Sequence, residues 1–129
     1  MPRLRFDHLA RPAGALRDGR GRAVVNRLFV ADRPIARLVG LLGTPDPEPG
    51  EALVLAPCNW VHGMGLRAPV MAVFIDPAGR VLRVVDPLPR RGARCRRAAC
   101  VLEAASGTLV VRPGDVLHAD AGALFPLGG

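Results

Sequence analysis

With 129 residues, half of them apolar, the chain is long enough to bury roughly two-thirds of its unfolded surface in one core and too apolar for intrinsic disorder. No apolar run approaches the roughly 20 residues of a membrane span. The N-terminal stretch MPRLRFDHLARPAGALRDGRGR interrupts every hydrophobic segment with Arg, Asp or Pro, which argues against a signal peptide and makes the cytoplasm the expected compartment. The formal charge is +7, yet all of its basic residues are Arg and none is Lys. That composition tracks GC-rich coding, and it favours solubility and weak contact with anionic polymers without specifying a fold.

Residues 1–21 are rich in Arg, Gly and Pro without clear periodicity and read as a loose arm with at most one short strand. A single β-rich domain is expected over 22–120, followed by a C-terminal tail at 121–129. Ala23 to Ala31 reads as a strand. Asp32 then stands as a helix N-cap with Pro34 in the first turn. Ile35, Leu38, Val39 and Leu42 follow at helical spacing, so one short helix is predicted over about 33–43, closed by Gly43. Alternating prolines make 44–50 irregular. Glu51 to Ala56 is a short strand, and 57–68 an irregular segment carrying Gly63 and Gly65.

The centre of the chain is a predicted β-hairpin. VMAVFI and RVLRVV are β-branched runs joined by Asp76-Pro77-Ala78-Gly79, which has Asp, Pro and Gly at the first, second and fourth positions of a type I turn. Residues 87–97 form a basic loop, and Ala98 to Ala105 a strand. Ser106-Gly107 is a turn, Thr108 to Val111 another strand, Arg112 to Asp115 a type II turn, and Val116 to Ala119 the last strand. Six or seven short strands with one helix predict a mainly-β fold, a sandwich or barrel-like body.

Several residues carry potential chemistry. Cys58 and His62 are a close nucleophile and base, the pairing a thiol enzyme needs; Pro57 and the glycines make that stretch a loop rather than a helix aligning them, and packed side chains are the simpler reading. Cys95 and Cys100 lie an odd number of residues apart and face opposite ways in an extended segment. Cys58–Cys95 and Cys58–Cys100 are therefore the conceivable bridges, with reduced thiols the expectation. No CxxC, HxxxH or acidic loop motif predicts a metal, and no cofactor is expected. GMGLRA lacks the last glycine and the following helix of a dinucleotide loop. Trp60, the sole tryptophan, is expected to plug one end of the fold, with a ligand-facing role as the alternative. Arg90, Arg91, Arg94, Arg96 and Arg97 form the densest charge run, an anion-binding candidate. Glu103 and Asp86 are expected to neutralise part of it, and no aromatic is interleaved to stack bases.

Three segments, ADRPIARLVGLLG, VHGMGLRAPVMAVFIDPAGRVL and VLEAASGTLVVRPGDVL, resemble in that order the bacterial and archaeal family known as domain of unknown function 192, or uncharacterised protein family 0127. The resemblance implies a compact mainly-β fold with a small helix, and no activity. Members read ADTPAERARGLMGR and VHTFGMRFPIDVVFLD, so here Ala36 replaces a Glu, Gly63 a Thr, Leu66 a Met and Met71 an Asp. Were those polar residues part of a site in relatives, this chain would keep only Arg37, Asn59, His62, Arg67 and Asp76 of it.

The resulting expectation is a small soluble binding module for a small molecule or a protein. Its surface would comprise Arg37, Asn59, Trp60, His62, Arg67 and Asp76. An enzyme using Cys58 and His62, or an anion or nucleic-acid binder using the 90–97 loop, are the competing readings.

Overall fold

A computed structural model of the chain describes residues 11–12, 14–31, 48–62 and 68–119. All eleven regular elements among them are strands: β1 (Arg11–Pro12), β2 (Leu16–Arg17), β3 (Ala23–Val25), β4 (Arg27–Ala31), β5 (Glu51–Leu55), β6 (Trp60–Val61), β7 (Val70–Ile75), β8 (Val81–Val85), β9 (Ala93–Arg94), β10 (Cys100–Ala105) and β11 (His118–Ala119). The helix expected over 33–43 lies outside the described residues. So do Arg37 and Arg67.

The expected mainly-β architecture is what the chain adopts. An open six-stranded sheet in the order β1-β4-β5-β10-β7-β8 is accompanied by a three-stranded sheet, β11-β2-β3, and a two-stranded ladder, β6-β9. The large sheet is antiparallel except for β4 and β5, which run parallel with Arg27 opposite Glu51 and Ala31 opposite Leu55.

The strands β5, β7 and β10 are buried on both faces, which is why they read as near-continuous apolar runs. Side-chain alternation divides them. Val54, Met71, Val73, Ile75, Cys100 and Leu102 form one core with Leu16, Val25 and Leu117 from the small sheet side. Phe29, Leu53, Leu55, Phe74 and Val101 form the other core with Val61 of β6 and Leu88. Met71 belongs to the first core.

The predicted hairpin forms in register, with Val73 opposite Val84 and Phe74 opposite Arg83. Gly79 donates its N–H to the Asp76 carbonyl at 3.0 Å and has φ of 95°, a type I turn followed by a left-handed glycine. The Arg112–Asp115 turn also forms, with Gly114 at φ 98° and the Asp115 N–H on the Arg112 carbonyl.

Five local expectations are corrected. Ala23 to Ala31 is two strands in two sheets, because the Gly50 carbonyl accepts both the Asn26 and Arg27 N–H groups and bends the chain there. Thr108 to Val111 is not a strand; its Thr108 Oγ donates to the Ala105 carbonyl at 2.7 Å, folding the segment back on the preceding turn. The basic loop contains β9, and the irregular 57–68 segment contains β6. Leu16, expected in a loose arm, is fully buried, and Arg11–Pro12 pair with β4.

Candidate functional site

The β6-β9 ladder pairs Trp60 with Arg94 and Val61 with Ala93. Val61 and Ala93 face the second core, so strand alternation turns Trp60, His62 and Arg94 to the opposite, outward face. The Cys95 N–H donates to the Asn59 carbonyl at 2.9 Å. That makes Asn59–Cys95 a hydrogen-bonded pair and Trp60–Arg94 the adjacent non-bonded pair, in which side chains lie closest.

Trp60 is 47% exposed, so the expectation that it plugs an end of the fold is corrected. Its indole lies 5.4 Å from the His62 ring at a tilted 53°, within the range of favourable ring contacts. The Cys58 thiol donates to the Trp60 carbonyl at 3.1 Å, anchoring the strand's start. Ladder closure depends on Gly92: a Cβ there would meet the Val61 carbonyl oxygen at 2.1 Å, and its φ is +92°. Gly92 is the residue across from His62, and its bare backbone lets β9 pass close beneath β6.

The arginines flank this face. The Gly92 N–H closes a turn on the Pro89 carbonyl, and the Ala98 N–H closes another on the Cys95 carbonyl. Arg90–Arg91 and Arg96–Arg97 therefore occupy the central positions of two β-turns on either side of β9, and all five arginines of the loop are exposed. Arg83 braces the loop by donating from Nη1 to the Arg94 carbonyl at 2.8 Å.

The expected neutralisation by Glu103 and Asp86 is corrected. Glu103 is 4% exposed within the large sheet, opposite Ala72 and Leu53, and burial raises its carboxyl from 4.5 to about 7. Asp86 accepts from the Ser106 hydroxyl and from the Gly107 N–H at 2.9 Å, fixing a turn instead. Among the described residues the ion pairs are Arg22–Asp18 and Arg27–Glu51, neither involving the 90–97 loop.

A cavity of about 620 Å³ opens beside the ladder, lined by Ala56, Pro57, Cys58, Asn59, Pro77 and Ala98–Ala99. Asn59 thus borders both the ladder and the cavity. Asp76, one residue from its rim, commits Oδ1 to the Ala78 and Arg80 N–H groups, both at 2.9 Å, and so holds the hairpin turn. The three cysteines are free thiols. Burial pushes the Cys100 thiol up to about 12, with smaller contributions from Cys58 and Asp76. A second cavity of about 610 Å³ is lined by Asp18, Arg20, Arg22, Arg112 and Asp115. Its acids are engaged locally: Asp18 is held low first by the Arg20 N–H, and Asp115 accepts from the Arg112 N–H.

Among the described residues no group of three or more His, Cys, Asp or Glu could hold a metal ion, and no helix is long and apolar enough to cross a membrane. Of the sequence-predicted candidates, the fold brings Asn59, Trp60 and His62 together with the arginine loop. This juxtaposition could have been suspected only from pairing of the two short segments around Trp60 and Arg94, which leave little trace as strands.

No protein-family model and no curated protein matches the chain. Two solved structures share its fold. One is a Sinorhizobium meliloti protein provisionally described as a transcription regulator, at 22% identity and a TM-score of 0.71, over 84% of this chain and 92% of that one. The other is a protein of unknown function from Novosphingobium aromaticivorans, at 18% identity and a TM-score of 0.69, over 84% of each chain. At these identities the likeness defines a small mainly-β fold and nothing finer.

Proposed function

We propose that this protein is a non-catalytic binding module whose ligand covers the outward face of the β6-β9 ladder. One observation carries the reading: the single tryptophan stands nearly half exposed on a short, tightly braced ladder. A rigid indole presents a large apolar surface with a polar N–H, and such groups are enriched where partners bind. The adjoining cavity of about 620 Å³ falls in the size range of small-ligand sites. The Cys58 thiol is engaged by the Trp60 carbonyl and the His62 ring lies against Trp60, which favours a structural use of both over a thiol–imidazole nucleophile. A regulator's provisional description for the Sinorhizobium meliloti protein fits a binding role better than a catalytic one. The three resembling segments further support a divergent place in the domain of unknown function 192 family.

The test is emission from Trp60 during titration with a panel of neutral, anionic and aromatic small molecules, mononucleotides and peptides. A saturable change accompanied by a shift in the exchange protection of residues 58–62 supports the module. Selective alkylation of Cys58 well ahead of Cys95 near neutral pH, together with turnover of a thioester or ester, overturns it in favour of an enzyme.

A further inference from the structure

We infer that the Trp60 face binds single-stranded nucleic acid, with Trp60 stacking on a base while the flanking arginine turns hold the phosphates. This deepens the binding-module reading and rests on it. Sequence spacing places Trp60 more than thirty residues from Arg94, so the arginine run looks devoid of aromatics. The ladder removes that separation by making the two residues cross-strand partners.

The charge is available to a ligand. All five arginines of the loop are exposed, and the acids nearest in sequence are turned elsewhere: Glu103 into the sheet, Asp86 onto the Ser106–Gly107 turn. Arg90–Arg91, Arg94 and Arg96–Arg97 present three cationic steps, one on each of the two turns and one on β9 between them. Guanidinium groups suit phosphate because they make paired N–H contacts. Arg83 and Gly92 hold the loop's backbone, so the array is ordered before a ligand arrives.

The aromatic selects for single strands. Bases in a duplex are already stacked on each other, whereas an unpaired base has a free face for an indole. A platform of one aromatic with flanking cations is tolerant of sequence, since every base has that face. His62, tilted against Trp60, packs beside the indole and steadies it.

The experiment titrates the full chain with a twelve-residue oligothymidylate and follows Trp60 emission, using the matching duplex, inorganic polyphosphate and phosphatidylserine vesicles as separate arms. Saturable quenching by the oligonucleotide, with affinity falling about 20- to 50-fold between 50 and 200 mM salt, is expected for three or four phosphate contacts on a single strand. Trp60→Ala should weaken binding about 10-fold or more, measured by anisotropy of a labelled oligonucleotide, and Trp60→Phe should restore most of it. Arg94→Ala should flatten the salt slope by about one contact. Because Trp60 and Arg94 are exposed, both variants are expected to fold, and circular dichroism checks this. Equal binding of duplex or polyphosphate without Trp60 quenching overturns the inference, leaving charge alone at work. Quenching by vesicles but not by oligonucleotide overturns it in favour of a membrane surface. If small molecules quench Trp60 while the oligonucleotide does not, the binding module stands and the nucleic-acid inference falls.

Discussion

Replacing Glu103 with Gln should remove most of a pH dependence of stability that the wild type carries between pH 5 and 8. Glu103 lies on a central strand, 4% exposed, across from Ala72 and Leu53, and none of the side-chain hydrogen bonds or ion pairs among the described residues involves its carboxyl. Desolvation disfavours the charged form and raises its pKa from 4.5 to about 7. Between those values the native state holds a proton that the unfolded state has lost, so stability falls as pH rises. The favourable state is complete below about pH 4.5 and lost through about pH 7. The shift corresponds to about 3 kcal/mol in full, of which about 2–3 kcal/mol falls between pH 5 and 8. Urea unfolding followed by far-ultraviolet circular dichroism is the appropriate assay, because the exposed Trp60 reports the core poorly. Glu103→Gln leaves an amide that also lacks a partner, but that cost is nearly independent of pH. The informative quantity is therefore the difference between the two pH values in wild type minus that in the variant. Titration of every other group common to both proteins cancels from it. An equal pH dependence in the two proteins would refute the reasoning, and so would a wild type more stable at pH 8 than at pH 5 by the same margin as the variant.

Gly92→Ala should destabilise the protein by about 2–3 kcal/mol in chemical unfolding, since it combines a left-handed φ with a Cβ driven onto the Val61 carbonyl. Gly107→Ala, with φ +78° but open space around its Cβ, should cost only about 1 kcal/mol, so equal effects would count against the steric account of the ladder. Iodoacetamide at pH 8 should label Cys58 and Cys95 in the folded protein and Cys100 only after urea, because Cys100 is fully buried with its thiol at about 12; mass spectrometry showing Cys100 modified as fast as the others would contradict its placement.

Those parts of the fold dictated by local chemistry were legible in the chain. Asp76-Pro77-Ala78-Gly79 specifies its turn through proline φ, an aspartate side chain that accepts from the following N–H groups, and a glycine free to take positive φ. Its flanking apolar runs then have to pair. The same local logic places Gly114 in its turn and the buried strands β5, β7 and β10 near their observed limits. What stayed hidden depends on distant partners. Asn26 and Arg27 are bent apart by the Gly50 carbonyl, and Leu16 is drawn into the core by pairing with Val25. Neither event has a signature in the residues around it, so one strand was expected where two occur and a loose arm where a buried leucine sits.

The candidate site was half legible, and the missing half changes its chemistry. Trp60 and the arginine loop each stood out in the chain, but as separate features with competing uses: an aromatic to fill the fold's end, and a solvated basic run neutralised by its neighbours. Two-residue strands such as β6 and β9 are too short for a period to declare itself. Their pairing is instead enforced from below, where Val61 and Ala93 must both reach the core that contains Phe74 and Leu53. Once those two side chains point inward, alternation compels Trp60 and Arg94 outward and side by side. Glu103 faces the same core, so the loop also loses the acid expected to balance it. The outward pairing of indole with guanidinium is thus a geometric consequence of how the second core is filled. A change that loosens Val61 should therefore disturb ligand contact at Trp60 without touching it, as judged by Trp60 emission in Val61→Ala against wild type. An unaltered Trp60 environment in that variant would mean that the ladder is held by its own hydrogen bonds and not by the core beneath it.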